Sequence, residues 1–324
     1  MTHWSFAVPF DVLHVWVMRD PPQIFEVDAK GRITLRENPR VRLGKCLHLE
    51  AAIRYANGLY IPDREIRRSD LEEITSILIW KDQLGHLCGD QEPKVKEYCD
   101  ISPLNGLRKL NYICMNFPAR ELSTLATLPN LTMLSVSCTR TRDMALIGKL
   151  EKLESLSLES NQVSDLTPLA NLKNLRDLSF PRNQITDLTA FAGLSKLEEL
   201  RLDGNQITDI SPLSNLSNLT GLYLDDNEIT DLSVLAKLEN LNKLWLGGNG
   251  FSDLSPLAKL NNLRSLCLSD NRIEDLKPLA GLRSLKSLFI ENNPICDSQK
   301  KTLVRALPKC DIHFVPKSLL AGLL

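Results

Sequence analysis

Apolar and polar positions recur along this chain in one frame, Leu-x-x-Leu-x-Leu-x-x-Asn-x-Ile-x-Asp-Leu-x-Pro-Leu-x-x-Leu. One copy reads Leu197, Leu200, Leu202, Asn205, Ile207, Asp209, Ile210, Pro212, Leu213 and Leu216. Its polar marker recurs at Asn161, Asn183, Asn205, Asn227, Asn249, Asn271 and Asn293, in steps of 22 residues. The Leu-x-Leu alternation predicts a short strand with leucines on one face and variable residues on the other, because strand side chains alternate at period two. Stacked copies then pair their strands into a parallel sheet. The Asn amide, placed in a buried turn, is predicted to bond the backbone of neighbouring coils. Asp followed by Leu-x-Pro-Leu reads as a cap on a short turn that tolerates Pro at its start. So few residues remain in each period that this turn is predicted to be 3₁₀.

A fixed period of this length with this frame is the sequence mark of a leucine-rich repeat. The predicted class is α/β: a right-handed leucine-rich-repeat solenoid with a parallel concave sheet, convex 3₁₀ turns, and helical caps at both ends. One coil cannot bury its own leucines, so the stack carries the core and caps must cover its ends. Weaker copies extend the frame upstream, through Leu131, Leu134 and Val136 with Thr139 at the Asn slot, and Leu110, Ile113 and Met115 with Pro118 there. Ile74, Ile77 and Ile79 read as the first strand, and an insertion of fourteen residues falls within 81–99. The expected organisation is a small β-rich extension over 1–48, a helical N-cap over 49–73, and about ten coils over 74–293. A C-cap over 294–316 and a tail over 317–324 complete it. Within the extension, Ile24 to Val27 and Ile33 to Leu35 around Asp28-Ala29-Lys30-Gly31 predict a β-hairpin.

Here a resemblance becomes specific. The repeats resemble the leucine-rich repeats of bacterial internalin-like proteins. Leu49-Glu50-Ala51-Ala52-Ile53-Arg54, then Ile66, Ser69-Asp70-Leu71, Ile74-Thr75 and Ile77, are similar to the helical N-cap of that group. Asn293-Pro294-Ile295 and Leu307-Pro308-Lys309-Cys310-Asp311-Ile312 resemble its closing segment. The resemblance covers about residues 49–315 and implies a protein-binding array. Surface members of the group carry export signals and wall anchors, and no such motif is read in this sequence.

Charge narrows the partners. Lys plus Arg number 39 and Asp plus Glu number 40, a formal net charge of −1, with no general pull toward nucleic acid or acidic lipid. The expected partner is therefore a protein or peptide, with no nucleic acid and no membrane, and the chain is expected to be a monomer. No apolar run is long enough to span a bilayer, and Met1 to Met18 lacks a basic leader, so it reads as part of the fold. The eight cysteines show no CxxC pairing, which favours a reduced, cytoplasmic protein. No cofactor or metal is expected. His86, Cys88 and Cys99 share the insertion without ligand spacing, and the Asp column from Asp165 to Asp297 reads as turn caps in preference to a calcium ladder. The chain is expected not to be an enzyme.

The informative variation lies on the outward strand positions. The central column reads Cys114, Ser135, Ser157, Ser179, Arg201, Tyr223, Trp245, Cys267 and Phe289. Tyr223, Trp245 and Phe289 are predicted to stack as anchors, with Arg201, Asp225 and Lys243 setting orientation, since clustered outward aromatics mark binding hot spots. Arg182 and Cys267 join the candidate partner-binding set. Asp203, Asp226, Asp270 and Glu291 are expected in a mixed polar rim, with Gly221 and Gly247 leaving room for a partner's side chain. The plainer alternative is that the rings only pack on one another and shield the strands. Tyr112 with Phe117 forms a second candidate cluster. The function read from the sequence is a non-catalytic recognition scaffold; the alternative is a regulatory subunit that docks on an enzyme such as a phosphatase or kinase.

Overall fold

The structure is a computed structural model that describes residues 24–27, 33–36, 76–79, 99–101, 104–105, 107–115, 119–120, 122–137 and 144–315. The predicted N-cap helix, Thr139, Phe117, Pro118, His86 and Cys88 lie outside the described residues. The chain divides into two units, residues 1–140 and 141–324.

In the first unit, β1 (Ile24–Val27) and β2 (Ile33–Arg36) pair antiparallel, Ile24 opposite Arg36, as a hairpin does. Next come β3 (Ser76–Ile79), β4 (Cys99–Asp100), β5 (Tyr112–Met115), β6 (Ala119–Arg120) and β7 (Met133–Val136). Strands β3, β5 and β7 form parallel pairs in that order, and β4 pairs parallel with β6. Ser76 lies opposite Tyr112, an offset well beyond one coil period, because the inserted residues lie between these two strands.

The second unit holds β8 (Ser155–Ser157), β9 (Asp177–Ser179), β10 (Glu199–Arg201), β11 (Gly221–Tyr223), β12 (Lys243–Trp245), β13 (Ser265–Cys267) and β14 (Ser287–Phe289). Helix α1 (Asp297–Ala306) and strand β15 (Asp311–His313) end it. The eight strands pair in parallel and in chain order, Glu199 opposite Gly221 and Gly221 opposite Lys243, so positions one period apart do stand side by side. The last step is longer, Phe289 opposite His313, since α1 occupies the linking segment.

Leucines at the frame positions form the core: Leu200, Leu202, Leu222, Leu224, Leu244 and Leu246 are fully buried. Phe180, Phe191 and Phe251 occupy apolar slots of the frame and are buried with them. Opposite the sheet, each coil turns through a 3₁₀ segment such as Thr167–Asn171 or Ser211–Asn215. The Asp column prepares it: Asp209 Oδ1 accepts from the Ser211 N–H at 2.8 Å, and Asp165, Asp187, Asp231, Asp253 and Asp275 repeat the bond. These bonds hold the Asp209 and Asp253 carboxyls below their usual range.

The Asn ladder forms as predicted. Asn227 Nδ2 donates to the Leu202 carbonyl of the preceding coil at 3.0 Å and to the Leu224 carbonyl of its own at 3.1 Å. Its Oδ1 accepts from the Ile207 N–H at 3.1 Å. The residue before each of these asparagines takes a left-handed backbone: Ser160, Arg182, Gly204, Asp226, Gly248, Asp270 and Asn292 all have φ between +53° and +66°. This turn aims the Asn side chain into the stack, and only two of the seven positions use glycine for it. A second ladder went unread in the sequence. Asn218, Asn240 and Asn262 each donate to a carbonyl of the preceding coil, at 2.8–2.9 Å, ahead of the strand. One rung is incomplete: Asn271 Oδ1 is buried without a partner, beside the coil that reads Gly248-Asn249-Gly250.

Replacing a ladder Asn strands buried backbone groups, so Asn227→Ala should cost about 1–3 kcal/mol in chemical denaturation. Asn271→Ala should cost less, because its carbonyl oxygen satisfies nothing. Equal destabilisation by the two, or none by Asn227→Ala, would contradict the ladder.

Candidate functional site

The outward positions of β10 to β15 bring one column of side chains into line. Arg201 places its guanidinium 3.9 Å from the centre of the Tyr223 ring. Tyr223 and Trp245 meet at 5.9 Å between ring centres, tilted by 44°. Trp245 and Phe289 meet at 6.3 Å although they are two coils apart. Two strand spacings amount to about 9.6 Å, so these rings lean toward each other over the coil that carries Cys267. Phe289 then stacks flat on His313 at 4.6 Å, the planes 7° apart. The result is a continuous ridge, Arg201–Tyr223–Trp245–Phe289–His313, held by cation–π and ring–ring contacts.

The predicted column is therefore assembled, with corrections at Tyr223, at Arg182 and at the glycines. Tyr223 is 7% exposed, so it is a buried member of the ridge, while Trp245 and Phe289 are half-buried. Cys267 is half-buried; burial, with Asp225 nearby, raises its thiol to about 11, which makes it a poor nucleophile. Arg182 is not a strand residue at all. It sits on the left-handed turn, highly exposed, 3.7 Å from Glu159, and Asp226 and Asp270 occupy the same turn slot in their own coils. The glycines leave no vacancy for a partner. A Cβ at Gly221 would lie 2.2 Å from Glu199 Oε2, and one at Gly247 would lie 3.0 Å from Asp225 Oδ1. The chain's own carboxylates fill those spaces.

These carboxylates set the electrostatics. Glu199 lies over Gly221 and receives Lys243 Nζ at 3.2 Å, with Arg201 at 3.9 Å. Asp225 Oδ1 accepts the Gly247 N–H at 2.6 Å. Burial, with Asp203 beside it, pushes the Asp225 carboxyl up to about 7, and the Gly247 bond only partly offsets this. Burial also raises Asp203, even though its own backbone N–H and Arg201 favour the anion. Ser269 donates to Glu291 at the downstream end of the same flank. His313 joins the ridge although the repeat period does not reveal it, because α1 shifts its spacing from Phe289. In the first unit, burial raises both Tyr112 and Cys114. Phe117, the proposed companion of Tyr112, lies outside the described residues.

Among the described residues no group of His, Cys, Asp or Glu has the arrangement of a metal site. No helix among them is long and apolar enough to cross a membrane. Cys114, Cys267, Cys296 and Cys310 are free thiols.

A stack of parallel strands, Asn ladders and 3₁₀ turns of this period defines a leucine-rich-repeat protein. A family profile described as leucine-rich repeats in two copies matches residues 173–215, 217–259 and 261–301. An internalin (inlF) of Listeria monocytogenes is 33% identical over 67% of this chain and 71% of its own, with a TM-score of 0.62. Internalin C2 (inlC2) of the same species is 38% identical over 60% of this chain and 83% of its own, with a TM-score of 0.55. The plant peptide hormone receptor RGFR1, solved in complex with RGF2, is 27% identical over 60% of this chain and 34% of its own, with a TM-score of 0.50. No curated protein sequence matches. The chain belongs to the internalin-like leucine-rich-repeat family, whose members serve as protein-interaction scaffolds.

Asp225 makes a testable contribution to stability. Its folded pKa of about 7 lies above the ordinary 3.8, so the folded chain holds a proton that the unfolded chain has released. Stability therefore falls as pH rises from near 4 to near 7. Asp225→Asn keeps an oxygen for the Gly247 N–H, and its melting temperature should match the parent at pH 4 and exceed it above pH 7. A constant difference across that range would disprove the shift.

Proposed function

We propose that this chain is a non-catalytic recognition scaffold that binds a protein or peptide on the outward face of its sheet, centred on Trp245 and Phe289. The observation that carries this reading is the ring ridge itself. Frame positions elsewhere in the column hold Ser157 and Ser179, so the fold does not require rings there. Three rings from three coils nevertheless form one apolar line, continued by Arg201 at one end and by His313 of the capping segment at the other. Exposed aromatic surface of that kind gives a partner large apolar contact at little entropic cost.

The roles divide by exposure. Trp245, Phe289 and, between them, Cys267 offer surface to the partner, whereas Tyr223 supports them from beneath. Arg201 and Lys243, both tied to Glu199, fix the ridge's upstream end. Asp225, anchored to the Gly247 N–H, contributes orientation and acidity. Arg182 stands apart on its turn and is assigned a rim role only. Four free thiols on the described residues support work in a reducing compartment, and the bacterial relatives support a bacterial source.

Affinity capture with the intact chain beside Trp245→Ala/Phe289→Ala tests the placement. A partner recovered by the parent should bind Trp245→Ala more weakly by about 2 kcal/mol in titration, the scale of a hot-spot truncation. Both rings are half-buried, so the melting curve should fall somewhat while the variant stays folded. Unchanged affinity in the double variant would remove the ridge as the binding surface.

A further inference from the structure

Beside the ridge the sheet face is hollowed into an open depression of about 870 Å³, whose lining includes Tyr223, Lys243, Trp245, Arg264 and Lys286 with asparagines and serines between them. Charge along it is unevenly settled. At the upstream end, bases meet acids of this chain: Arg176 pairs with Glu198, and Lys243 with Glu199. At the downstream end they do not. Arg264 and Lys286 hold equivalent positions immediately before β13 and β14, neighbours through the Lys286 N–H to Arg264 carbonyl bond at 2.8 Å. Both are exposed, and neither forms an ion pair with another described residue. The acid on β15, Asp311, is engaged by His313 at 3.0 Å.

Like charges facing each other across adjacent strands are unfavourable, and the repeat does not demand them. The same slot holds Thr220 and Asn242 in the two preceding coils. Across the ridge the opposite flank carries the carboxyl groups of Asp203, Asp225 and Glu291, half-buried or buried. The face thus has a basic trough and an apolar crest, side by side.

We propose that the trough receives an extended acidic segment of a partner protein, with its carboxylates on Arg264 and Lys286 and an apolar side chain against Trp245. This rests on the reading of the sheet face as the partner surface and adds the partner's chemistry. An extended chain sends alternate side chains to opposite sides, about 6–7 Å apart on each side, which suits two cations on adjacent coils together with the ring. A uniform polyanion fits poorly, because Glu198 and Glu199 stand at the upstream end of the same flank. Carboxylates confined to one edge of a peptide match it.

Selection of 12-residue peptides from a random displayed library on the intact chain tests this. Enriched peptides should be rich in Asp and Glu, should weaken steeply with added salt, and should lose at least tenfold in affinity to Arg264→Glu/Lys286→Glu. The same reversal at Lys259 and Arg283, on the turn side, should leave affinity unchanged, and melting curves should confirm that all variants fold. Peptides that depend on Trp245 yet ignore the Arg264/Lys286 reversal would overturn the acidic-segment inference and leave the sheet-face reading standing. Acidic peptides that depend on Arg264 and Lys286 but not on Trp245 or Phe289 would support the trough and remove the ridge. No enrichment, or binding of single-stranded RNA or anionic vesicles in place of acidic peptides, would overturn the proposal.

Discussion

Each coil leaves buried backbone groups that its own residues cannot satisfy, and the next coil's asparagine supplies the partner. That dependence governs everything else. Asn205 reaches back to the Phe180 carbonyl and Asn227 to the Leu202 carbonyl, so adding or losing one residue within a coil would break bonds in two coils at once. The period is therefore locked, the strands fall into register, and outward side chains form columns. Leucine burial drives the stacking, but leucines alone would tolerate slippage; the directional amide bonds do not.

Columns convert a linear spacing into a surface. Rings separated by a full coil in the chain meet within 6 Å in space, and the ridge they make is stiffened from below by Tyr223 and at one end by the Arg201–Glu199–Lys243 cluster. The other end is closed by His313, which comes from the capping segment rather than from a repeat. The scaffold thus supplies position while the column supplies identity, in keeping with a family whose members share an architecture and differ in what they hold.

The frame made most of the architecture legible. Leucine spacing announced the strands, Asn the turns, and Asp-Leu-x-Pro-Leu the 3₁₀ segments, because each depends on local chemistry repeated many times. The face was legible in part. Tyr223, Trp245 and Phe289 could be aligned by counting, but counting could not say that Tyr223 is covered or that Trp245 bends over its neighbour toward Phe289. Those facts come from side-chain packing between coils. Gly221 and Gly247 misled for the same reason: a missing side chain looks like room until the adjoining carboxylate is placed. His313 was hidden by α1, which interrupts the count. Arg182 was misassigned because the turn before each Asn is left-handed, a backbone feature that serine, arginine, aspartate and asparagine share there with glycine and that composition alone does not flag.

Glu199 over Gly221, Asp225 against Gly247 and Asp226 beside Gly248 have a common consequence. Each acid lies where a side chain of the following coil would otherwise stand, so the two residues form matched couples across a seam. Repeat genes grow by duplicating and shuffling whole units, and the frame invites such exchange. Moving the Lys243 unit elsewhere would part its glycines from the acids they were fitted to. An exchange of coils at this seam must therefore carry both members of each couple.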